Sequence, residues 1–439
     1  MSAVAVRAAA PARSFGSVWP LYMLFVALPI WWALGAAYFV WPFLTFPLLL
    51  SLLLRQEVRL PPRFGLWLLF LAWMFLASHQ LDDAMSVALF LYRASLYISA
   101  TLLFLYIYNA TRDRLPDGAI VKAMALFWAA VVVGGLLGVF LPYASFGTPV
   151  EALMPASVLQ DKTAYYFVHP GLSEVMTFLG YPVGRPKTLF AFSNQWGAAI
   201  AVLTPFALAA LSETRRRSFP RRALILLLIL SIVPIIVSLN RGLWLSLGLG
   251  LVYVAFRLTR QGDVRALRAG LIGLVAVVLV IFITPLGGLV GDRFTAQRNS
   301  NDTRLTVYQA TFEGIKQSPL FGYGSPTGAE FDANLPELGT QGQMFTVAFS
   351  YGIPAVLLFA GWFLSSFVNS RRSGSSARLW ANASVLILLL ELPYYNYMPA
   401  TLHVGMVAAA LAWRDVADPA GRPAQGALLT RPIPEPSPA

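Results

Sequence analysis

Apolar residues in this chain come in long unbroken runs, not at the intervals of a half-buried helix or strand. A membrane-crossing helix needs about 20 largely apolar residues. Twelve runs approach that length: 18–34, 36–54, 64–80, 84–108, 119–142, 190–211, 223–239, 242–258, 269–288, 346–369, 379–397 and 399–413. Gly35-Ala36 separates the first pair and Pro399 the last, and these two breaks are the least sharp. Two polar stretches, 143–189 and 289–345, exceed the about 12–15 residues beyond which a loop usually has a job of its own. In the second, Leu305, Tyr308, Phe312 and Ile315 recur at helical spacing. The pattern predicts an all-α polytopic membrane protein of about 12 transmembrane helices, with a large, partly helical outer loop.

Composition agrees: 57% of residues are hydrophobic and 12% charged, against about 25% charged in soluble domains. The net charge of +12 resembles a nucleic-acid signature until the basic residues are placed. With the N-terminus in the cytoplasm, most of the 32 Lys and Arg residues fall in the cytoplasmic connections, as the positive-inside rule requires. The charge is therefore topogenic and nucleic acid is not an expected partner; the lipid bilayer is. Both termini are predicted cytoplasmic. Residues 1–17 form a short N-terminal segment, 18–413 the transmembrane domain with outer loops 143–189 and 289–345, and 414–439 a Pro-, Ala- and Gly-rich disordered tail. The first run lacks a small-residue cleavage site and is read as a retained span. Absence of cysteine excludes disulfide, thiol and cysteine-ligated metal chemistry, and His79, His169 and His403 lack metal-ligand spacing. No metal or cofactor is expected.

The candidate chemistry lies on the outer side. Asn240-Arg241 sits at the junction of two apolar runs, where an Arg either snorkels or marks a substrate path. Arg185 and Lys187 precede a run that begins with Phe190, Phe192 and Asn194. Asp302 can cap the helix that follows, placing Arg304 in a first turn that favours anions; a plain surface helix with a solvated Arg is the simpler alternative. Gly322-Tyr323-Gly324 is too short for a phosphate loop and reads as a tight turn toward the membrane. Asp82-Asp83 is either a cation ligand pair or a solvated loop end. Arg93 lies inside an apolar run and needs a partner or water there; Glu391, beside Tyr394, Tyr395 and Tyr397, is a candidate partner or a member of the site.

Over about 185–361 these elements together resemble the O-antigen ligase and O-antigen polymerase superfamily of bacterial membrane glycosyltransferases. The resemblance is carried by Arg185 with Asn194, by Ser238-Leu239-Asn240-Arg241-Gly242-Leu243-Trp244 with a Leu-Asn insertion or shift, and by Asp302-Thr303-Arg304 leading to Pro319-Leu320-Phe321-Gly322-Tyr323-Gly324. It implies a glycan donor on a polyprenyl (undecaprenyl) diphosphate, a glycan, lipid or protein acceptor, and transfer on the outer face of the bacterial cytoplasmic (inner) membrane. Arg241 and Arg304 match its functional arginines and would bind the diphosphate and offset its growing charge, without need of a metal. Arg185, Asn194, Asn240, Tyr323, Gln343 and Glu391 are the expected substrate-binding residues.

Where ligases of this family carry a His after the glycine turn, this chain reads Gly339-Thr340-Gln341-Gly342-Gln343. Gln341 is taken as the third catalytic position, although a Gln orients a hydroxyl and cannot act as its base. His403, Glu391 or an outer-loop carboxylate could supply the base, donor activation alone could suffice, or the activity could be lost or altered. Ligase is the leading expectation and polymerase its near alternative. A transporter or flippase and a non-catalytic envelope-assembly protein are the alternatives from other classes. Charge confined to one face speaks against transport, and the missing His keeps the non-catalytic reading open.

Overall fold

The computed structural model describes residues 18–55, 57–177, 181–264, 268, 270, 288, 298–327, 337–371 and 375–414, the side chains of 298–304 excepted. The predicted N-terminal segment 1–17, nearly all of the run 269–288 and the tail beyond Arg414 lie outside the described residues.

The elements, in chain order, are α1 (Trp19–Leu21), a π turn (Tyr22–Val26), α2 (Leu28–Ala33), α3 (Val40–Leu53), α4 (Gly65–Leu76), α5 (Ala84–Asn109) and α6 (Asp117–Phe140). The stretch 141–192 follows with α7 (Pro149–Leu153), α8 (Ala156–Leu159), α9 (Lys162–Val168), β1 (Ser173–Met176) and β2 (Val183–Pro186). Then come α10 (Ser193–Glu213), α11 (Phe219–Val237), α12 (Arg241–Arg260), α13 (Arg298–Gln317), α14 (Gln343–Ser370), α15 (Ser376–Glu391) and α16 (Ala400–Trp413). The protein is mostly helical. Among the described residues six helices, α5, α6, α10, α11, α12 and α14, are long and apolar enough to cross a membrane.

Other predicted runs are shorter or broken. The run 18–34 is interrupted by Pro29, which has no N–H to continue the ladder, and the backbone widens into the π turn closed by Ala27 N–H to the Tyr22 carbonyl (2.8 Å). The run 36–54 yields only Val40–Leu53, with Pro47 inside the helix.

Helix α10 forms the middle of the bundle, packed on α6 and α15; α16 packs on α5 and α15, and α3 on α5. Buried aromatic residues fill the interior, Trp67, Phe70, Tyr97 and Phe359 meeting in tilted and edge-to-face pairs at centroid separations of 5.0–6.3 Å. In contrast, only 22% of the spanning window of α11 and of α12 is buried, so this hairpin lies at the edge of the bundle.

Two irregular features were not foreseen. The stretch 141–192 contains an antiparallel two-stranded hairpin that pairs Glu174 with Arg185, a small departure from the all-α expectation. It is fastened to α6: the Ser173 and Thr188 hydroxyls donate to the Gly138 and Gly134 carbonyls, each at 2.7 Å. The second feature is a break in α14 at Gly352, whose φ of +83° suits only glycine. The break releases carbonyls that an apolar interior cannot leave unpaired. The Pro319–Gly324 turn takes them: Tyr323 and Gly324 N–H donate to Phe349 and Ser350 O (3.0 and 2.7 Å), and Ile353 N–H returns to Pro319 O (2.8 Å). The predicted tight turn is thus a plug for a broken helix. A Cβ at 352 would lie 2.0 Å from Leu320 O. Gly352→Ala should therefore lower the thermal midpoint of the detergent-solubilised protein clearly, by about 2 kcal/mol or more of stability from strain and clash together; an unchanged midpoint would remove this account of the break.

Candidate active site

The turn between α11 and α12 comprises Ser238, Leu239 and Asn240 alone. Buried Leu239 adopts φ +53°, an unusual state for a non-glycine residue that persists only where its surroundings enforce it. Those surroundings centre on Arg185. Its Nε donates to Ser238 O (2.7 Å), its Nη2 to the amide oxygens of Asn240 and of Asn194 (3.2 Å to the latter), and its Nη1 to Met176 Sδ (3.2 Å). Asn240 is the N-cap residue of α12, yet its side chain makes no cap. It faces Arg185 and donates from Nδ2 to Ser193 O (3.0 Å). Asn240 packs so closely on α10 that a Cβ on Gly197 would lie 2.6 Å from Nδ2. Arg185, Asn194 and Asn240 thus meet, as their selection from the sequence anticipated, but they bind one another. The result is a fixed turn from which Arg241 begins α12, half-buried.

Tyr395 joins this helix start to the start of α14. Its hydroxyl accepts Leu243 N–H (2.8 Å) and its carbonyl accepts Gln343 N–H (2.8 Å). Gln343 is fully buried, donating from Nε2 to the Tyr97 hydroxyl (2.8 Å) and accepting Tyr397 N–H (3.1 Å). Gln341, two residues earlier, donates from Nε2 to Glu337 O (3.0 Å) and Thr340 Oγ (3.2 Å) and accepts from Thr311 Oγ (3.3 Å). Thr311 Oγ also receives Gly339 N–H (3.2 Å), so the Gln341 segment rests on α13.

Position 304 lies two helical turns before Thr311 on α13, its side chain outside the described residues. Among the described residues this helix is already formed at Arg298, ahead of the expected start, so Asp302 lies inside it and is not its cap. No Pro or Gly between 298 and 302 stops it. Tyr323 sits behind this surface, stacked on Phe349 at 4.7 Å and donating to Gly314 O (3.1 Å).

Glu391 is fully buried, with Oε1 accepting from Ser246 of α12 (2.9 Å) and Oε2 having no hydrogen-bond partner among the described residues. Arg93 acts elsewhere: it lies within electrostatic reach of Tyr97, Tyr351 and Glu337. Both nitrogens of buried His403 are engaged. One bonds Pro399 O (2.7 Å) and the other Ser99 Oγ (2.8 Å), while Trp41 covers the ring at 4.3 Å. Asp83 caps α5 by accepting Met85 and Ser86 N–H (2.8 and 2.9 Å), and its bonds to Ser86 hold its carboxyl below the usual range. Lys187 lies buried over the Tyr166 ring at 4.5 Å; burial pushes its ammonium down, opposed by Glu174.

Sequence reasoning missed Tyr395 as the link and Glu337 as a charged neighbour of the site. A tyrosine following Glu391 was visible; nothing in the spacing said that both ends of its polar framework would be used.

A protein-family model described as O-antigen ligase matches residues 226–360, a segment containing Arg241, Arg304 and Gln341. The match supports the O-antigen ligase-like superfamily. No curated protein matches the chain.

Arg185→Met would leave the buried Ser238 carbonyl, the buried Asn240 amide and the half-buried Asn194 amide without this donor. It should destabilise the protein by about 3 kcal/mol and release the α11–α12 turn, seen as faster amide exchange at 238–243 by hydrogen–deuterium exchange; unaltered exchange there would show that Arg185 does not hold the turn.

Proposed function

We propose that this multi-pass protein transfers a glycan from a polyprenyl diphosphate carrier to an acceptor on the outer face of the bacterial cytoplasmic membrane. The proposal includes about twelve spans with both termini in the cytoplasm, so that the α11–α12 turn and α13 share the outer side. What supports the reading is the framework that ties two helices together: α12, which starts at Arg241, and α13, which carries Arg304, are bridged through Tyr395, Gln343, Gln341 and Thr311. The family match spans the same parts.

In this reading Arg241 and Arg304 grip the diphosphate. As the sugar–oxygen bond breaks, negative charge grows on the departing diphosphate oxygen, and a guanidinium opposite it stabilises that charge more than the ground state. Arg185, Asn194 and Asn240 position Arg241: Arg185 binds both amide oxygens, and Asn240 also donates to Ser193 O. Gln341 orients the acceptor. Glu391 and Gln343 hold α12, α14 and α15 in register from within the bundle. The ligase assignment is preferred to polymerase on the leading resemblance, both using the same arginines.

Arg241→Ala and Arg304→Ala should each reduce transfer by about 100-fold or more without loss of the protein from the membrane. Lys at either position should restore little, since it offers no planar fork of donors. The measurement is the lipid-linked glycan that accumulates in cells carrying each variant. Normal surface glycan in either Ala strain would refute the diphosphate role.

A further inference from the structure

The reaction needs somewhere for the acceptor proton to go, and the residues expected to take it are unsuitable. Gln341 cannot hold a proton at ordinary pH. His403 has both nitrogens engaged in the packed interior, and Glu391 is sealed beside Ser246.

Glu337 shares a turn with Gln341 and meets its side chain through the backbone carbonyl. The Glu337 carbonyl accepts three donors from the residues just after it: Thr340 N–H (3.3 Å), the Thr340 hydroxyl (2.7 Å) and Gln341 Nε2 (3.0 Å). These bonds close 337–341 into one turn and carry Glu337 beside the Gln341 side chain. The turn is pinned to α13 by Thr311 on one side and, through Gln343 and Tyr395, to the start of α12 on the other. Glu337 is half-buried, and charges from two other elements act on it: Arg93 of α5, whose Nη1 is buried with no hydrogen-bond partner among the described residues, and Asp161 at the N-terminus of α9.

We propose that the Glu337 carboxylate is the base that accepts the proton of the acceptor hydroxyl, oriented by Gln341 and flanked by Arg93 and Asp161. The inference rests on the glycosyl-transfer reading above. As the acceptor oxygen forms its bond to the anomeric carbon, its O–H bond breaks and the proton passes to a Glu337 carboxylate oxygen. The bond from the anomeric carbon to the diphosphate oxygen breaks, and its electron pair leaves with the diphosphate. Glu337 then returns the proton to water. Partial burial suits a general base, because it pushes the Glu337 carboxyl up; Arg93 pulls it down and Asp161 raises it further.

The experiment uses the full chain in nanodiscs, with lipid-linked glycan extracted from a strain lacking the gene as donor and undecaprenyl diphosphate alone as binding probe. Glu337→Gln should lower kcat by about 100-fold or more while undecaprenyl diphosphate binds as before, and Glu337→Asp should recover part of the rate. The charge signs add a second readout. A base works when deprotonated, so activity falls on the acid side of its pKa. Asp161→Asn removes a neighbouring negative charge and should move that acid limb to lower pH; Arg93→Gln removes a positive one and should move it to higher pH. Wild-type turnover in Glu337→Gln together with an inactive Arg241→Ala would overturn the base assignment alone. Wild-type turnover in both would overturn the transfer reading itself. Loss of diphosphate binding in Glu337→Gln, or an acid limb unmoved in both Asp161→Asn and Arg93→Gln, would make Glu337 structural and also overturn the assignment.

Discussion

A single buried guanidinium joins the β1–β2 hairpin to the turn on which α12 begins. Arg185 directs its donors to a backbone carbonyl, two amide side chains and a thioether, and that convergence holds Leu239 in a left-handed conformation it would not adopt alone. Without this hub the turn has only its own short bonds, and the direction in which Arg241 leaves it would not be fixed. Other departures from helix among the described residues are handled in the same way, with a donor from a neighbouring segment, because an apolar interior offers no water to pair what is left over. The Gly352 break filled by the 319–324 turn is one instance and Tyr395, used at both its hydroxyl and its carbonyl, is another.

The sequence was most legible where composition alone decides. The run 84–108 became Ala84–Asn109 and 190–211 became Ser193–Glu213, because an unbroken apolar stretch has no other way to satisfy its backbone. It was less legible where a local exception was resolved at long range. Nothing near Gly352 announced that Leu320 would approach it, and nothing near Ser173 announced a hairpin resting on α6. Asp302 was mistaken for a cap because a cap is a local signal, whereas the helix continues back to Arg298 for want of anything to stop it.

The site shows the same division. Residue type and order brought together Arg185, Asn194 and Asn240, which do meet, but could not reveal that they meet each other. Position within an apolar run marked Arg93 and Glu391 as costly, and pairing opposite charges was the natural expectation. In the fold Ser246 reaches Glu391 and Arg93 acts on Glu337 instead. His403 looked reactive because it was one of few histidines. Its partners, Ser99 and Pro399, lie 304 and four residues away, and only the packed bundle shows that it is a satisfied core residue.

The peripheral position of the α11–α12 hairpin has a consequence for how donor supply is counted. Most of its spanning surface is unburied among the described residues, so on the proposed reading a long isoprenoid would reach the Arg241 turn sideways through the leaflet. The quantity governing saturation would then be the number of carrier molecules per unit area of membrane, not their molarity in any aqueous compartment. Encounter would become a two-dimensional search whose pace is set by the fluidity of the surrounding lipid.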